Sequence, residues 1–273
     1  MGIKESAMQD GANTNRSDSA NVNTTSAHGK DVRIEINKLH KSFGNRMVLN
    51  GITLRVAQGE TVAVLGRSGT GKSVLLKLMI RLLPADSGSV RISGKEIGEL
   101  DVPELNEVRK KVGFLFQQAA LYDSLTVEEN VVFPLARHTK MSSSEHERRA
   151  HELLAIVEMD RELGKLPSQI SGGMQKRVGL ARALALDPKI LLFDEPTAGL
   201  DPITANEISH LILDLKKKRN MTAVVVTHDV RSAKVFADRL VLLNEGNIVA
   251  DGTFAEVQKS NDPFVAKFMA DGE

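Results

Sequence analysis

An apolar, β-branched run, Thr61–Leu65, leads directly into the segment Gly66-Arg-Ser-Gly-Thr-Gly-Lys-Ser73. Such a run is typical of a strand that is buried on both faces. The next residues, Val74–Leu83, read as a helix. Glycines let the loop wrap with its N–H groups pointing inward, and the helix N-terminus adds a partial positive charge. The unit therefore predicts a phosphate-binding loop within an α/β core.

Every residue of this loop is a candidate nucleotide ligand. The candidates are Gly66, Arg67, Ser68, Gly69, Thr70, Gly71, Lys72 and Ser73. Lys72 is expected to reach the β- and γ-phosphates, and the Ser73 hydroxyl is expected to bind Mg²⁺. The motif alone predicts only a nucleotide binder, since kinases and GTPases also carry it.

A second apolar run, Ile190–Phe193, ends in the acidic pair Asp194-Glu195. At a strand end both carboxylates can approach a nucleotide, because successive side chains point to opposite faces. We assign Asp194 to Mg²⁺, through water, and Glu195 to polarising the attacking water. The alternative interpretation is two solvated acids at the end of a strand.

The chain divides into three parts. Residues 1–30 are polar and poor in large aliphatic residues, which predicts a disordered tail. Residues 31–256 are expected to form one nucleotide-binding domain, with a helical insertion at about 118–187. Its first strands, Val32–Ile36 and Ile52–Val56, alternate apolar and polar residues and read as antiparallel. Residues 257–273 are expected to form a helical tail that packs on its own domain or reaches a neighbour.

Composition excludes several classes of protein. The 36 Lys and Arg residues balance 35 Asp and Glu, which argues against a nucleic-acid partner. The chain has no cysteine, so disulfides, Cys-ligated zinc and thiol catalysis are excluded. No stretch of 18 apolar residues occurs, and the start lacks the apolar core of a signal peptide. We therefore expect a soluble chain that depends on other subunits for any membrane spans.

At residues 32–253 the chain resembles the ATP-binding-cassette family. Ser171-Gly172-Gly173-Met174-Gln175 occupies the place of the family's Leu-Ser-Gly-Gly-Gln signature, with methionine where glutamine is usual. Serine and glycines at a helix start suit anion binding. The resemblance implies the cassette fold: a mainly parallel core sheet, an N-terminal antiparallel β-subdomain and an inserted helical subdomain. It also implies ATP and Mg²⁺ as cofactors, and ATPase activity.

Two candidate residues are implied by the family's order of motifs. Gln117 resembles the glutamine that senses Mg²⁺ and the attacking water, although Gln118 competes for that role. His228 follows the apolar run Thr222–Val226, where the family's switch histidine contacts the γ-phosphate. The competing interpretation of His228 is a structural histidine.

Two further positions carry open alternatives. Asp201, in Ala-Gly-Leu-Asp, resembles the loop that joins two active sites in the family, and it could equally be only a helix cap. Phe43 resembles the aromatic residue that stacks on adenine, an interaction worth about 0.5–1.5 kcal/mol beyond burial. A core or surface phenylalanine is the alternative for Phe43.

The resemblance also implies partners. In this family the phosphate loop of one subunit faces the signature serine of another, so a head-to-tail homodimer is expected. Integral membrane permease subunits are expected beside it, at the cytoplasmic face of the inner membrane. A soluble ATPase acting on ribosomes or DNA is less favoured, because the chain has one cassette and no sustained heptads.

A narrower resemblance is carried by the segment 116–134 together with Ser-Gly-Gly-Met174. Both are similar to the ATPases of MCE-type systems, including the Mla pathway for phospholipids between inner and outer membranes. That resemblance implies an MCE-domain lipid-binding subunit and allows a small STAS-like subunit. The alternative is an importer of a small polar solute. Leu121, Tyr122 and Phe133 are expected to line a groove for the permease, with core packing as the competing explanation.

Overall fold

The computed structural model describes residues 31–272, so the polar tail predicted for residues 1–30 lies outside the described residues. Its strands, in chain order, are β1 (Val32–Phe43), β2 (Arg46–Ala57), β3 (Thr61–Leu65), β4 (Ser87–Ile92), β5 (Lys95–Glu96), β6 (Val112–Leu115), β7 (Ile190–Asp194), β8 (Thr222–Thr227), β9 (Arg239–Asn244) and β10 (Asn247–Gly252). Its helices are α1 (Lys72–Met79), α2 (Val102–Arg109), α3 (Val127–His138), α4 (Ser143–Ile156), α5 (Gly172–Ala183), α6 (Pro202–Arg219), α7 (Val230–Phe236), α8 (Phe254–Gln258) and α9 (Pro263–Asp271).

Six of the described strands form the core sheet, in the order β10-β9-β3-β8-β7-β6. All neighbours run parallel except β9 and β10. Along β3, Val62 and Val64 enter one apolar cluster while Ala63 and Leu65 enter the other. The strand is therefore buried on both faces, as its continuous apolar run predicts.

The antiparallel sheet has the order β2-β1-β4-β5, so the expected antiparallel pairing of the first two strands is confirmed. Both strands are longer than the alternating runs that predicted them. Register shifts between Ile36 and Lys41 let β1 continue past the polar residues Asn37 and Lys38. Irregularities of this kind bend and twist a strand without ending it.

The helical insertion begins after β6 and contains α3, α4 and α5. Capping boxes start α3 at Thr126 and α4 at Ser142, each closed by a glutamate three residues later. In the described part of the chain, no helix combines the length and apolar character that crossing a membrane requires.

Helix α1 is shorter than the predicted Val74–Leu83. It begins at Lys72 and ends at Met79, because Arg81 adopts φ 52° in the left-handed region. The Arg81 N–H then donates to Leu78 O at 3.0 Å and the Leu82 N–H to Lys77 O at 2.8 Å. This is the Schellman pattern that closes a helix, here with arginine where glycine is usual.

The C-terminal region contains a β-hairpin and the expected helical tail. Strands β9 and β10 pair antiparallel around the turn at Glu245-Gly246, where both residues have positive φ. Helix α9 buries Val265 and Met269 in the larger core cluster. In the single chain, the tail packs on its own domain.

A buried ion cluster joins the two sheets through Arg239 on β9. Its guanidinium bonds Glu60 at 2.6 Å and Asp251 at 2.7 Å, and it donates to the carbonyl oxygen of Arg55 on β2. Burial alone would lower the pKa of Arg239, but Glu60 and Asp251 outweigh it and the pKa is raised. The buried charges of the cluster therefore compensate one another only while all three side chains are present.

Arg239→Met is expected to lower the free energy of unfolding by about 3–5 kcal/mol, because it leaves two largely buried carboxylates without a countercharge. Chemical denaturation measures the change. Arg91→Met is the matched control, since it breaks the exposed pair with Glu96 and is expected to cost less than about 1 kcal/mol. Equal effects of the two substitutions would show that the buried cluster does not stabilise the joint between the sheets.

Candidate active site

The glycine-rich loop leaves the end of β3 and enters α1 at the centre of the core sheet. A Cβ at Gly66 would lie 2.5 Å from Leu243 O, and one at Gly71 would lie 2.9 Å from Leu49, so neither position has room for a side chain. Gly71 precedes α1 with φ 99° and provides no side-chain cap. The N–H groups of the first helical turn are therefore open to an anion.

The remaining loop residues occupy different positions. Arg67, Ser68 and Gly69 are exposed, and the Thr70 hydroxyl donates to Arg67 O at 2.9 Å. The Arg67 guanidinium lies 5.6 Å from the ring centroid of Phe264 on α9. The C-terminal helix thus contacts the outer side of the loop, which sequence reasoning did not anticipate.

Lys72 is 5% exposed and its ammonium is held within the loop. It donates to Gly66 O at 2.9 Å and to Arg67 O at 3.0 Å, and it lies 3.4 Å from Glu195 Oε1. A buried ammonium held this way is positioned to meet phosphate oxygens above the loop.

Ser73 and Asp194 form the second contact of the site. The Ser73 hydroxyl donates to Asp194 Oδ1 at 2.6 Å, and Asp194 is 4% exposed. A hydroxyl and a carboxylate are oxygen ligands of the kind Mg²⁺ takes, with phosphates and waters filling the other positions. The residues present therefore fit a Mg²⁺ ion that is bound together with a nucleotide. Within residues 31–272, no group of three or more His, Cys, Asp or Glu side chains is placed to hold a metal ion by itself.

Glu195 sits at the centre of the site in a strained conformation. Its φ is 47°, in the left-handed region that non-glycine residues rarely occupy. Its N–H donates to Val226 O at 2.9 Å, and its Oε2 lies 2.9 Å from Nδ1 of His228. Glu195 is 7% exposed whereas the side chain of His228 is 59% exposed. The pair therefore presents a fixed carboxylate beside an imidazole that faces outward.

Gln117 follows β6, which pairs in parallel with β7, so it lies at the same sheet edge as Asp194 and Glu195. Its side chain is exposed, as is that of Gln118. Both glutamines that compete for the water-sensing role therefore lie, exposed, at the edge of the site.

Phe43 ends β1 and is 48% exposed. It pairs with Arg46 across the hairpin, and the Arg46 guanidinium reaches Gly69 O at 3.5 Å. The hairpin tip therefore lies against the phosphate loop. An exposed ring at that position is available for stacking, and it is not a core residue.

The signature residues form the N-terminus of α5. Ser171 caps the helix, accepting from the Met174 N–H at 3.3 Å, and Gly172 is exposed. A Cβ at Gly173 would lie 2.4 Å from the Thr204 methyl, so the glycine permits α5 to approach α6 closely. Met174 packs partly against the larger core cluster. Gln175 donates to Pro167 O at 2.9 Å, so its side chain is tied to the segment that precedes the helix.

Asp201 is the N-cap of α6. Its carboxylate accepts from the Ile203 and Thr204 N–H groups, each at 3.1 Å, and from the Thr204 hydroxyl at 2.6 Å. The Thr204 hydroxyl bond is the main reason that the pKa of Asp201 is lowered. The cap role proposed from the sequence is therefore present in the single chain.

A groove of 550 Å³ lies between α2, α3 and the end of α5. Tyr122 and Phe133 line it with ring centroids 4.7 Å apart, and both are exposed. Leu121 does not line the groove, contrary to expectation: it packs against the larger core cluster. The adjacent residues Leu121 and Tyr122 therefore point in opposite directions, and the sequence alone does not specify which of them faces the groove.

Two cations of α5 were missed from the sequence. Lys176 is 5% exposed and donates to the carbonyl oxygens of Gln117 and Glu195. Arg182 donates to Ala119 O at 2.6 Å and Ala120 O at 2.7 Å. The only available signal was that both lie on a helix whose other residues are mostly small or apolar.

Comparison with known proteins gives a consistent result. The protein-family model described as ABC transporter matches residues 49–198, more than half of the chain. A probable ribonucleotide transport ATP-binding protein, mkl, of Mycobacterium tuberculosis is 42% identical over 238 residues, which cover 87% of this chain. The chain spans 66% of the length of that relative, just under two thirds. The chloroplastic protein trigalactosyldiacylglycerol 3 of Arabidopsis thaliana is 41% identical over 255 residues, covering 87% of this chain and 73% of its own length.

Among solved structures, the chain is similar to the ATP-binding cassette MJ0796 in a dimeric post-hydrolysis state bound to ADP and Pi. The TM-score is 0.75 at 36% identity, and the match covers 81% of this chain and 98% of that one. The fold expected from the sequence, a cassette with a mainly parallel core sheet and an inserted helical subdomain, is confirmed.

Proposed function

Because this chain belongs to the ABC transporter family and carries the family's ATPase cassette, we propose that it binds Mg²⁺–ATP and hydrolyses it to drive transport across a membrane. One observation carries the proposal above the others: three polar contacts lie together at the carboxyl edge of the core sheet. They join Lys72 to Glu195, Ser73 to Asp194, and Glu195 to His228. Ligands of open α/β sheets bind at that edge.

The chain's own residues divide the chemistry between them. Backbone N–H groups of Gly66–Ser73 and the Lys72 ammonium hold the phosphates, while Ser73 and Asp194 hold Mg²⁺. When bound, Mg²⁺ neutralises charge on the β- and γ-phosphate oxygens. Glu195 orients and polarises the attacking water, and His228 fixes the Glu195 carboxylate and reaches the γ-phosphate. Gln117, which follows the adjacent strand, would contact the water and the metal, and Phe43 would stack on the base.

A second copy of the chain completes each site. Ser171 and Gly172 are exposed at the N-terminus of α5, with Gly173 buried behind them, whereas the phosphate loop lies on the core sheet. In a head-to-tail dimer, Ser171 of one copy faces the phosphates on the other, with Asp201 near the junction. Nucleotide bridges the copies, so binding favours the closed dimer and hydrolysis releases it. The dimeric state of the cassette MJ0796 supports this arrangement.

The cargo we propose is phospholipid, moved between the inner and outer membranes by an MCE/Mla-type system. Support comes from the segment 116–134, from Met174 in the signature, and from the chloroplast relative, whose name contains a galactolipid. Partners would be integral permease subunits, an MCE-domain subunit and a small STAS-like subunit, with this chain peripheral at the cytoplasmic face of the inner membrane.

A small-solute importer is the second candidate. The mycobacterial relative favours it, since its name is that of a ribonucleotide transport protein. Affinity purification from native membranes, followed by mass spectrometry of proteins and lipids, separates the two. An MCE-domain subunit with bound phospholipid supports the lipid proposal, and a solute-binding protein without lipid contradicts it. Co-sedimentation with ribosomes and no membrane protein would contradict transport altogether.

The groove lined by Tyr122 and Phe133 is proposed to receive a permease segment. Phe133→Glu is expected to leave the ATPase rate of the isolated subunit within about twofold and to weaken its association with the permease by about tenfold or more, because an aromatic contact is lost and a carboxylate must be desolvated in its place. Permease-stimulated ATPase activity in proteoliposomes measures the loss.

Ile156→Glu is the matched control for this substitution. Ile156 and Phe133 are each 38% exposed and both lie on helices of the insertion, but Ile156 lies away from the groove. Retained stimulation in Phe133→Glu, or equal loss in both variants, would exclude the groove as the docking surface.

A further inference from the structure

Lys176 is a buried cation that none of the roles assigned above requires. It lies on α5, five residues after Ser171, and is 5% exposed. Burial lowers its pKa, although the Asp194 and Glu195 carboxylates act in the opposite direction. Burying an ammonium is costly unless hydrogen bonds compensate it, so its partners define what the residue does.

The partners of Lys176 belong to two different catalytic segments. Its Nζ donates to Gln117 O and, at 3.1 Å, to Glu195 O. Gln117 follows β6 and Glu195 follows β7, the neighbouring parallel strand. One side chain therefore ties together the backbones of the two residues to which water activation is assigned, and it does so from the helix that begins at Ser171.

The conformation of Glu195 depends on such anchors. A glutamate with φ 47° persists only when its surroundings hold it there. Its N–H is held by Val226 O, its carboxylate by His228 and Lys72, and its carbonyl by Lys176 and the Ala198 N–H. Lys176 is the anchor among these that comes from the helical insertion.

A second cation of α5 holds the same turn. Arg182 binds the carbonyls of Ala119 and Ala120, whose φ values of 57° and 50° are also left-handed. The turn after Gln117 is thus fixed to α5 at two points, and only Lys176 extends the connection to Glu195. A displacement of α5 must move this turn with it.

We propose that Lys176 is a positioning residue that sets the backbones of Gln117 and Glu195 relative to the helix that presents Ser171. The inference rests on the proposed ATPase function. In the head-to-tail dimer it makes Lys176 the connection between the signature that serves one nucleotide and the water-activating residues that serve the other.

The test compares Lys176→Met, which keeps the length of the side chain and removes its donors, with Lys176→Arg. Lys176→Met is expected to lower kcat for ATP hydrolysis by about 10²-fold, the scale of a misplacement of about 1 Å, while KM and the affinity for ATP change by less than about threefold. Lys176→Arg is expected to recover most of kcat, since its guanidinium can donate to both carbonyls. Lys189→Met, an exposed lysine replaced in the same way, is the control.

Hydrogen exchange of the nucleotide-free protein is the second readout. Lys176→Met is expected to raise exchange in segments 117–120 and 195–198 above the rest of the chain. A kcat within twofold of the wild type, or a uniform rise in exchange with equal losses in kcat and ATP affinity, would overturn the proposal.

Should Lys176→Met fail to fold, Lys176→Gln replaces it. The glutamine amide is too short to reach both carbonyls, so the same outcomes apply. Absence of ATPase activity in the wild type would contradict the proposed function instead, and the exchange measurement would still decide the role of Lys176.

Discussion

Replacing Glu195 by glutamine is expected to lower kcat for ATP hydrolysis by about 10²–10⁴-fold while leaving ATP binding intact. Glutamine has nearly the same shape and keeps one acceptor for His228, which lies 2.9 Å from the carboxylate. It cannot accept a proton from water, so chemistry stops while the phosphate contacts of the loop persist. Steady-state phosphate release measures kcat, and titration with a fluorescent ATP analogue measures binding.

The same variant tests the proposed dimer. With hydrolysis blocked, ATP bound between two copies is no longer consumed, so Glu195→Gln is expected to accumulate as a closed dimer in Mg²⁺–ATP. Light scattering with size-exclusion chromatography detects it. Glu99→Gln, an exposed glutamate outside the site, is expected to behave as the wild type. If Glu195→Gln hydrolysed ATP at the normal rate, a different residue would have to activate the water.

Lys72→Ala is expected to act on binding itself and to weaken ATP affinity by about 10²-fold. The ammonium would make charge-assisted hydrogen bonds with phosphate oxygens, each worth about 1.5–3 kcal/mol, and about 1.4 kcal/mol corresponds to a factor of ten. Removing it also frees the Gly66 and Arg67 carbonyls that it holds. Isothermal titration calorimetry measures the change.

Lys77→Ala provides the control for that loss, because Lys77 lies on the same helix and outside the loop. AMP, which lacks the β- and γ-phosphates, is expected to bind the wild type and Lys72→Ala with similar affinity. Undiminished ATP affinity in Lys72→Ala would show that the ammonium does not contact the phosphates. Together the Glu195 and Lys72 variants separate chemistry from binding.

Much of the fold follows from local patterns. The continuous apolar runs at β3, β7 and β8 predicted strands that are buried on both faces, and all residues of these strands are buried. Asp201 is a candidate helix cap in the sequence, and α6 begins directly after it. These patterns suffice because strand burial and helix capping depend on residues close in the chain.

The ends of helices and the orientation of individual side chains were less predictable from the sequence. The apolar run after Ser73 suggested a longer helix, yet the left-handed Arg81 ends α1 at Met79. The Arg109 guanidinium, 28 residues beyond Arg81 in the chain, holds that turn by donating to Ile80 O at 3.0 Å and to Arg81 O at 2.9 Å. Leu121 faces the core while Tyr122 faces the groove, and these orientations depend on how α3 and α5 pack around the segment that contains both residues. Contacts this distant in the chain leave no periodic signature.

The sequence by itself determined which residues are candidates for the site: the glycine-rich loop Gly66–Ser73, the acidic pair at the end of β7 and the histidine after β8 can be identified from residue types and their local setting. Only the tertiary structure decided how these parts are held. Parallel neighbours β3, β8, β7 and β6 bring their carboxyl ends to one edge, and Lys176, from a helix outside the sheet, fixes two of the segments there. The physical reason is that the cost of burying a charge is set by whichever distant groups surround it, and those groups are known only once the chain has folded.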